Sequence, residues 1–316
     1  MSKAALIRLS VLSLVWGSVF LWIKVAGDGF SPVEMVFARL VLGAIVVLGI
    51  GFAKKQSLPR GRDTWGHILV AALLGNVLPW LLFAYGEQTG SSSIAGILSG
   101  TAPVWTMTAA VALGSEKRLG LGRIGGIALG VLGVVLVSAP WSHDTHVTTE
   151  SLICCVVGAI SFGSSFAYVG RFLAPRKIPV FMLAGSQLST AAVLSAIAAP
   201  FLGLPAIHAT AKATIALIVL GIVCTGFAVL LNTMIITKDG PAASATVVYL
   251  MTVVSVILGG LVLGEPLGWT VIAGTAAVLG ATVLLRRKPQ PAATPAAPAA
   301  APAATATPVP AAVPAE

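Results

Sequence analysis

The sequence predicts an all-α membrane protein with ten transmembrane helices, arranged as two inverted repeats of five helices each. Three observations predict this fold: a composition too apolar for a water-exposed surface, apolar runs of spanning length, and a pattern that occurs twice. Of the 316 residues, 57% are hydrophobic and only 9% are charged, whereas soluble domains carry about 25% charged residues. The mean hydropathy of +0.98 gives the same indication.

Ten apolar runs are long enough to cross a bilayer, which takes about twenty residues of α-helix. Turn residues separate them, such as Gly27-Asp28-Gly29 after the first run and Asp239-Gly240-Pro241 before the ninth. The first run is too long for a signal peptide and is predicted to stay as a transmembrane helix. The runs lie at approximately 5–26, 33–53, 64–85, 92–114, 121–139, 150–173, 180–203, 211–236, 242–264 and 268–285.

A pattern of about thirty residues occurs twice, first at 90–119 and again at 240–267. Gly90 and Gly240 are 150 positions apart, and Glu116 and Glu265 are 149 apart. Weaker matches in the early helices extend the repeat to 5–139 and 150–286, which predicts a duplicated unit. Because five helices are an odd number, the second unit enters the membrane upside down. Inverted repeats are typical of secondary transporters, which bind substrate near the midplane between the halves.

Lysine and arginine residues fall almost entirely on one side when the N-terminus is placed inside. Of the nineteen, sixteen lie inside, Lys24 and Lys212 lie outside, and Arg39 lies within the second helix. The positive-inside rule therefore predicts a multi-pass protein of the cell membrane with both termini cytoplasmic. The net charge of +9 is spread over short groups and does not indicate nucleic-acid binding. Residues 289–316, rich in Pro and Ala, are predicted to be a disordered cytoplasmic tail.

Several short motifs lie in register with these ten runs. They are Trp-Gly-Ser-x-Phe at 16–20, Ser31-Pro32 followed by Arg39, Ala102-Pro103-Val104, and Leu-Gly-Glu at 263–265. Together, over about 5–286, they resemble the EamA-type branch of the drug/metabolite transporter superfamily. The resemblance implies a central cavity formed largely by helices one, three, four, six, eight and nine. It also implies export of amino acids or related small metabolites.

Two positions depart from the pattern of that family. Met251-Thr252 stands where many relatives have a Glu-Pro pair, and Ser115 is inserted before Glu116. These departures leave the predicted fold unchanged but weaken any transfer of substrate detail. Multidrug efflux within the same fold and a non-transporting membrane scaffold or sensor stay open as alternatives.

Arg39 and the polar or aromatic residues of the predicted helices are the candidates for the substrate cavity. A charge at bilayer depth is costly unless it is solvated or paired, so Arg39 is either functional or a structural residue that snorkels or pins a helix. Its candidate partners are Glu34 and Glu87. The remaining candidates, which either line a cavity or bond helix to helix, are Trp16, Asn76, Trp80, Tyr85, Thr101, Trp105, Tyr168, Gln187, Asn232 and Tyr249.

Pro79 and Pro103 are predicted to break helices three and four, because proline frees a backbone carbonyl within a helix. Broken helices at the midplane expose backbone polar groups to a substrate in transporters. The second repeat has Thr252 where the first has Pro103. We therefore expect helix four to be more distorted than its partner, helix nine.

The sequence carries no nucleotide-binding, nucleophile-elbow or metalloprotease motif, so neither an enzyme nor a cofactor is expected. Glu116 and Glu265 are interpreted as solvated or capping groups, and His143-x-x-His146 is not expected to bind zinc because further ligands are missing. The three cysteines are interpreted as packing residues. Glycines spaced by four, as at Gly96 and Gly100, favour close helix approach within the chain or across a homodimer.

Overall fold

A computed structural model describes residues 3–114, 121–138, 148–202, 208–239, 241–265 and 267–286. These residues form α-helices joined by short turns, with no strand among them. The helices are α1 Lys3–Gly17, α2 Val19–Ala26, α3 Pro32–Ala53, α4 Arg62–Ala72, α5 Leu78–Thr89, α6 Ser92–Ser99, α7 Ala102–Ala112, α8 Leu121–Ser138, α9 Thr149–Tyr168, α10 Val180–Leu202, α11 Ala211–Ile218, α12 Ala228–Asp239, α13 Pro241–Leu263 and α14 Trp269–Arg286.

Seven helical stretches in the described ranges are long and apolar enough to cross a membrane. Each of the ten predicted runs overlaps one of these seven or one of three shorter apolar helices. The seven are Leu6–Ala26, Pro32–Ala53, Arg62–Thr89, Ser92–Ala112, Thr149–Arg176, Val180–Phe201 and Ala211–Asn232. The three shorter helices are Ile124–Val137, Leu250–Leu263 and Trp269–Ala281.

One end of the bundle, here called the Glu265 end, gathers the turns that follow α2, α5 and α13. Ser92 at the start of α6 donates its N–H to Glu265 at 2.6 Å. His208 donates its N–H to the Gly29 carbonyl at 3.2 Å. The hydroxyls of Thr89 and Thr148 lie 2.9 Å apart. Loops that are distant in the sequence therefore meet at this end.

The opposite end, here called the Arg176 end, joins the start of α4 to the segment before α10. The Arg176 guanidinium contacts the Asp63 carboxylate and donates to Thr64 Oγ1 at 2.7 Å. The basic residues that the sequence predicts for the inside cluster here. Those in or next to the α3–α4 turn and in the segment between α9 and α10 are Lys54, Lys55, Arg60, Arg62, Arg171, Arg176 and Lys177.

Helix packing pairs elements of the first half of the chain with elements of the second. α3 packs against α10, α8 against α14, α6 against α13 and α1 against α13. α5 and α7 both pack against α9. Fully buried apolar side chains, among them Leu40, Ile97 and Leu220, fill the space between these helices.

Gly96 and Gly100 let α13 approach α6 closely. A Cβ atom at Gly100 would lie 2.5 Å from Thr252 Oγ1, which is closer than side chains tolerate. At Gly96, Ser255 is the corresponding neighbour. The glycine spacing thus serves packing within the chain at this position.

The structure breaks the first predicted run, which the sequence presented as continuous. α1 ends at Gly17 and α2 begins at Val19. Ser18 donates its hydroxyl to the Val15 carbonyl at 2.9 Å. Hydroxyls that bond back to a carbonyl of the preceding turn bend helices, which gives the break a local cause.

Helix four is interrupted, whereas helix nine is one continuous helix over Pro241–Leu263. The expected inequality between these two helices is confirmed. α6 ends at Ser99, and Pro103 lies in the first turn of α7. A backbone N–H at this position has no hydrogen-bond partner within the helix, so its absence in proline does not destabilise α7.

Three spans widen from α-helix to π-helix, one of them at Val169–Leu173, directly after α9. Leu73–Val77 forms a π-helical segment between α4 and α5, and Pro79 follows in the first turn of α5. Val219–Phe227 forms a longer π-helical segment between α11 and α12. π-Helical turns occur frequently at functional sites, and the Val219–Phe227 segment contacts Arg39.

Candidate functional site

The start of α3 fixes the position of Arg39. Ser31 caps the helix: its hydroxyl accepts from the Glu34 N–H at 3.4 Å, and its own N–H donates to Glu34 Oε2 at 2.8 Å. This capping box, with Pro32 at the first helical position, starts the helix at a defined residue. Arg39 therefore lies in the second turn, and Glu34 is occupied as a cap.

Arg39 is buried, with only 4% of its surface exposed. Its guanidinium carbon lies 4.0 Å from the centre of the Trp80 ring on α5. Its Nη2 donates to Thr225 Oγ1 at 3.3 Å. A cation over an indole face is stabilised by the ring quadrupole, most strongly where water is excluded. Arg39 thus joins α3, α5 and the Val219–Phe227 segment.

Thr225 is held in place by a second bond. Its hydroxyl donates to the Leu220 carbonyl at 2.9 Å, five residues earlier, and so accepts from Arg39 with its free lone pair. Of the two carboxylates that the sequence offers as partners of Arg39, Glu34 is held by the capping box, and Glu87 has no hydrogen-bond partner among the described residues. Neither is therefore hydrogen-bonded to Arg39. Within the described residues Arg39 Nε has no hydrogen-bond partner.

A tryptophan–hydroxyl pair marks the break in helix four and recurs at the break in helix one. Trp105 Nε1 donates to Thr101 Oγ1 at 3.0 Å, and Thr101 donates to the Leu98 carbonyl at 2.6 Å. Trp22 Nε1 donates to Ser18 Oγ at 3.2 Å in the same i, i+4 arrangement. Each indole N–H is satisfied within its own helix, so the ring can face a neighbour without leaving a polar atom unpaired.

Tyr168 lies at the Arg176 end. Its hydroxyl forms a 2.7 Å hydrogen bond with His67 Nδ1, and the His67 ring stacks on Phe172 at 4.9 Å between centroids. His67 Nε2 lies 3.5 Å from Asp63 Oδ1. This cluster connects α4 to the end of α9 and to Arg176.

A cavity of about 240 Å³ lies at the Glu265 end between α2, α3 and α5. Glu87 contributes to its wall but is 98% buried, with 2% of its surface exposed. In the described part of the chain neither carboxylate oxygen of Glu87 has a hydrogen-bond partner. Lys24, also in the wall, donates its ammonium to the Glu87 and Gly90 carbonyls at 2.5 and 2.9 Å.

Glu265 caps the start of α6. Its carboxylate accepts from the Ser92 N–H at 2.6 Å, the Ser93 N–H at 2.9 Å and the Ser93 hydroxyl at 2.5 Å. The first N–H groups of a helix lack partners within the helix, and a carboxylate also interacts favourably with the helix dipole there. The capping interpretation of Glu265 is confirmed, with the cap placed on a helix of the other half.

The structure brings some candidates together and separates others. Arg39 contacts Trp80, and Thr101 contacts Trp105, whereas Tyr168 belongs to the His67 cluster. The half-buried candidates outside these contacts are Trp16, Asn76, Tyr85, Gln187 and Asn232. The side chain of Tyr249, together with Glu116, His143, His146 and the tail at 289–316, lies outside the described residues.

Sequence reasoning missed Lys24, His67 and Thr225 as parts of polar clusters. Lys24 was assigned to the outside surface, although it stands in the apolar run Val19–Ala26, and a charge there was a usable signal. His67 could have been found as a titratable residue one turn after Asp63 in an apolar helix. Nothing local distinguishes Thr225 from other threonines in apolar helices.

The bundle buries an arginine, a glutamate and many serine and threonine hydroxyls among apolar helices of spanning length. These features define the class of the protein, which is a polytopic membrane protein. Its sequence matches that of a known family twice, over residues 3–139 and 149–287. The chain belongs to the EamA-like transporter family. Membership of this family, within the drug/metabolite transporter superfamily, points to a transporter rather than an enzyme.

Curated relatives include the uncharacterized inner membrane transporter YedA of Escherichia coli strain K12. It is 25% identical over 286 residues, covering 88% of this chain and 89% of its own. The uncharacterized transporter YdfC of Bacillus subtilis strain 168 is 23% identical over 275 residues, covering 86% and 87%. A solved crystal structure shares the fold with a TM-score of 0.62 and 20% identity, covering 90% of this chain and 97% of that one.

Proposed function

We propose that this protein is a secondary transporter that exports amino acids or related small metabolites by alternating access. The two halves, 5–139 and 150–286, would be inverted repeats of five transmembrane helices. Both termini would be cytoplasmic, because the basic loops of the Arg176 end follow the positive-inside rule. The relatives named as transporters support the general function.

The single observation that best supports this mechanism is the symmetry of the helix contacts. α7 packs against α9, which pairs the fourth span with the sixth, and α13 packs against α1, which pairs the ninth with the first. If each span is replaced by its counterpart in the other half, the contact between the fourth and sixth spans becomes the contact between the ninth and first spans. The second span likewise contacts the π-helical part of the eighth, while the seventh contacts the π-helical part of the third. Such symmetry is what inverted repeats require in order to exchange conformations.

The contacts also favour one conformation in the cycle. At the Glu265 end, α6 and α13 pack together and are joined by Glu265. Toward the Arg176 end the two spans have different main neighbours: α7 packs chiefly against α9, whereas α13 packs chiefly against α1 and α12. We interpret this as a conformation closed at the Glu265 end, which faces inward if that end is extracellular.

Arg39 supports the substrate class. A buried guanidinium beside an indole ring matches a small molecule that carries a carboxylate and an apolar part. The Nε atom of Arg39, which has no partner among the described residues, leaves a donor for such a carboxylate. The central cavity would then lie between Arg39, Trp80 and the broken helix four.

The test is flux in liposomes that contain the purified full-length protein. Radiolabelled amino acids and cationic drugs form the panel, and protein-free liposomes give the background. The proposal is supported if the wild-type protein transports amino acids and the Arg39→Lys variant, still monodisperse, does not. Lysine keeps the positive charge but lacks the planar guanidinium that can donate two hydrogen bonds to one carboxylate. Flux of drugs alone indicates multidrug efflux. Absence of both flux and binding indicates a scaffold or sensor.

A further inference from the structure

Glu87 is a buried carboxylate that the transport mechanism above does not use. It lies near the end of α5, two residues before Thr89, and it is one of the residues that line the 240 Å³ cavity at the Glu265 end. Both carboxylate oxygens lack hydrogen-bond partners among the described residues. An ionised carboxylate without hydrogen bonds in an apolar site is strongly disfavoured, so such a group requires neutralisation.

The nearest cation does not neutralise Glu87 directly. The ammonium of Lys24 is directed at two main-chain carbonyls, those of Glu87 and Gly90. Arg39 is directed at the Trp80 ring and at Thr225. The charged or titratable groups that face Glu87 from the elements around it are Lys24 on α2, Asp28 in the following turn, Arg39 on α3, Cys155 on α9 and Glu265 after α13.

A metal cation fits this site poorly. Sodium and calcium ions require a shell of several oxygen ligands, but the ammonium of Lys24 stands in the same cavity wall and repels them. The described residues contain no group of three His, Cys, Asp or Glu side chains that could hold a metal ion. A proton needs only one carboxylate oxygen to bind to, and the carboxylic acid that results is uncharged.

We propose that Glu87 is a proton-binding site that exchanges its proton with the solution at the Glu265 end through this cavity. The step is one proton transfer from a hydronium ion to a carboxylate oxygen: one O–H bond of hydronium breaks, one O–H bond of the carboxylic acid forms, and a water molecule is left. If the protein transports substrate as proposed above, Glu87 supplies a proton site for coupling. That role rests on the proposed function, whereas the proton site itself does not.

Dicyclohexylcarbodiimide tests the site without any substrate, because this reagent reacts with protonated carboxyl groups in apolar surroundings. The wild-type protein in detergent is labelled between pH 5 and pH 9, digested, and mapped by mass spectrometry. We expect label on Glu87, falling roughly tenfold per pH unit above its titration midpoint. Replacement of sodium by choline at fixed pH should leave the labelling unchanged.

Two variants complete the test. Glu87→Gln, which keeps the shape of the side chain, should lose the label on this peptide. Glu150→Gln, which alters an exposed carboxylate in the first turn of α9, should leave the label on Glu87 unchanged. Absence of label on Glu87 in monodisperse wild-type protein at every pH would overturn the proposal. Labelling that follows sodium rather than pH would overturn it as well.

Coupling is tested separately with the amino-acid panel. Wild-type flux should rise with an imposed pH gradient, and Glu87→Gln flux should lose that dependence. Wild-type flux that ignores the gradient overturns the coupling role while the proton site stands. A panel without any flux counts against the proposed transport function, and the carbodiimide labelling still decides the proton site.

Discussion

The Glu265 carboxylate accepts two hydrogen bonds from Ser93, one from its N–H at 2.9 Å and one from its hydroxyl at 2.5 Å. The two residues lie 172 positions apart, at the end of α13 and the start of α6. Together with the bond from Ser92, this contact joins the end of α13 to the start of α6 at one end of the bundle. A rearrangement that opened this end would have to break it.

Glu265→Ala should lower the stability of the folded protein, because the N–H groups of Ser92 and Ser93 lose their acceptor. We expect a loss of about 1–2 kcal/mol, as for the removal of a helix N-cap. The apparent unfolding temperature in detergent is the measurement. Glu150→Ala is the matched control, because this carboxylate also lies at the N-terminal end of a helix, in the first turn of α9, but is exposed. Equal behaviour of the two variants would contradict the capping role.

Thr225→Val should destabilise the protein by removing the hydroxyl that accepts from Arg39. A buried donor that loses its partner costs about 1–3 kcal/mol, and valine has nearly the same shape as threonine. Thr214→Val on the preceding helix α11, where the side chain is half-buried, serves as the control and should change stability by no more than about 0.5 kcal/mol. The two unfolding temperatures are compared in the same detergent. If Thr225→Val and Thr214→Val change the unfolding temperature equally, the hydrogen bond from Arg39 to Thr225 does not contribute to stability.

Gly100→Ala should weaken the contact between α13 and the segment that joins α6 to α7. The new Cβ would lie 2.5 Å from Thr252 Oγ1, so the Thr252 side chain or the helix that carries it must shift, at a cost of about 1–3 kcal/mol for overpacking. Gly49→Ala on α3 is the control, because no atom outside its own helix surroundings lies within 4 Å of the added Cβ. The control should keep or slightly raise stability, since alanine favours the helix by about 1 kcal/mol over glycine. Equal unfolding temperatures for the two variants would argue against close packing at Gly100.

The positions of the helices could be predicted because a spanning run is a local signal. Twenty apolar residues must bond their backbone within one segment in lipid, so composition alone locates each helix. The distortion of helix four also followed from a local feature, the proline at 103. The break at Ser18 did not, since it depends on whether a serine hydroxyl bonds back to the preceding turn.

The contacts of the candidate site were harder to predict because they join distant positions. Arg39 and Thr225 are 186 positions apart, and no spacing in the sequence indicates that they meet. The burial of Arg39 was foreseeable from its place in an apolar run. Its partner was not, because Glu34 lies nearby in sequence and the capping box that occupies it becomes visible only in the structure.

Tyr168 gives a test that separates the sequence interpretation from the structural one. As a cavity residue it would affect transport, but the structure bonds its hydroxyl to His67 at the Arg176 end. Tyr168→Phe should therefore lower the unfolding temperature, through the loss of one hydrogen bond worth about 1 kcal/mol, and leave the transport rate within about twofold of wild type. Trp80→Leu, which removes the ring that faces Arg39, should reduce transport strongly in the same liposome assay. A large transport defect in Tyr168→Phe, with Trp80→Leu active, would return Tyr168 to the substrate cavity and remove Trp80 from it.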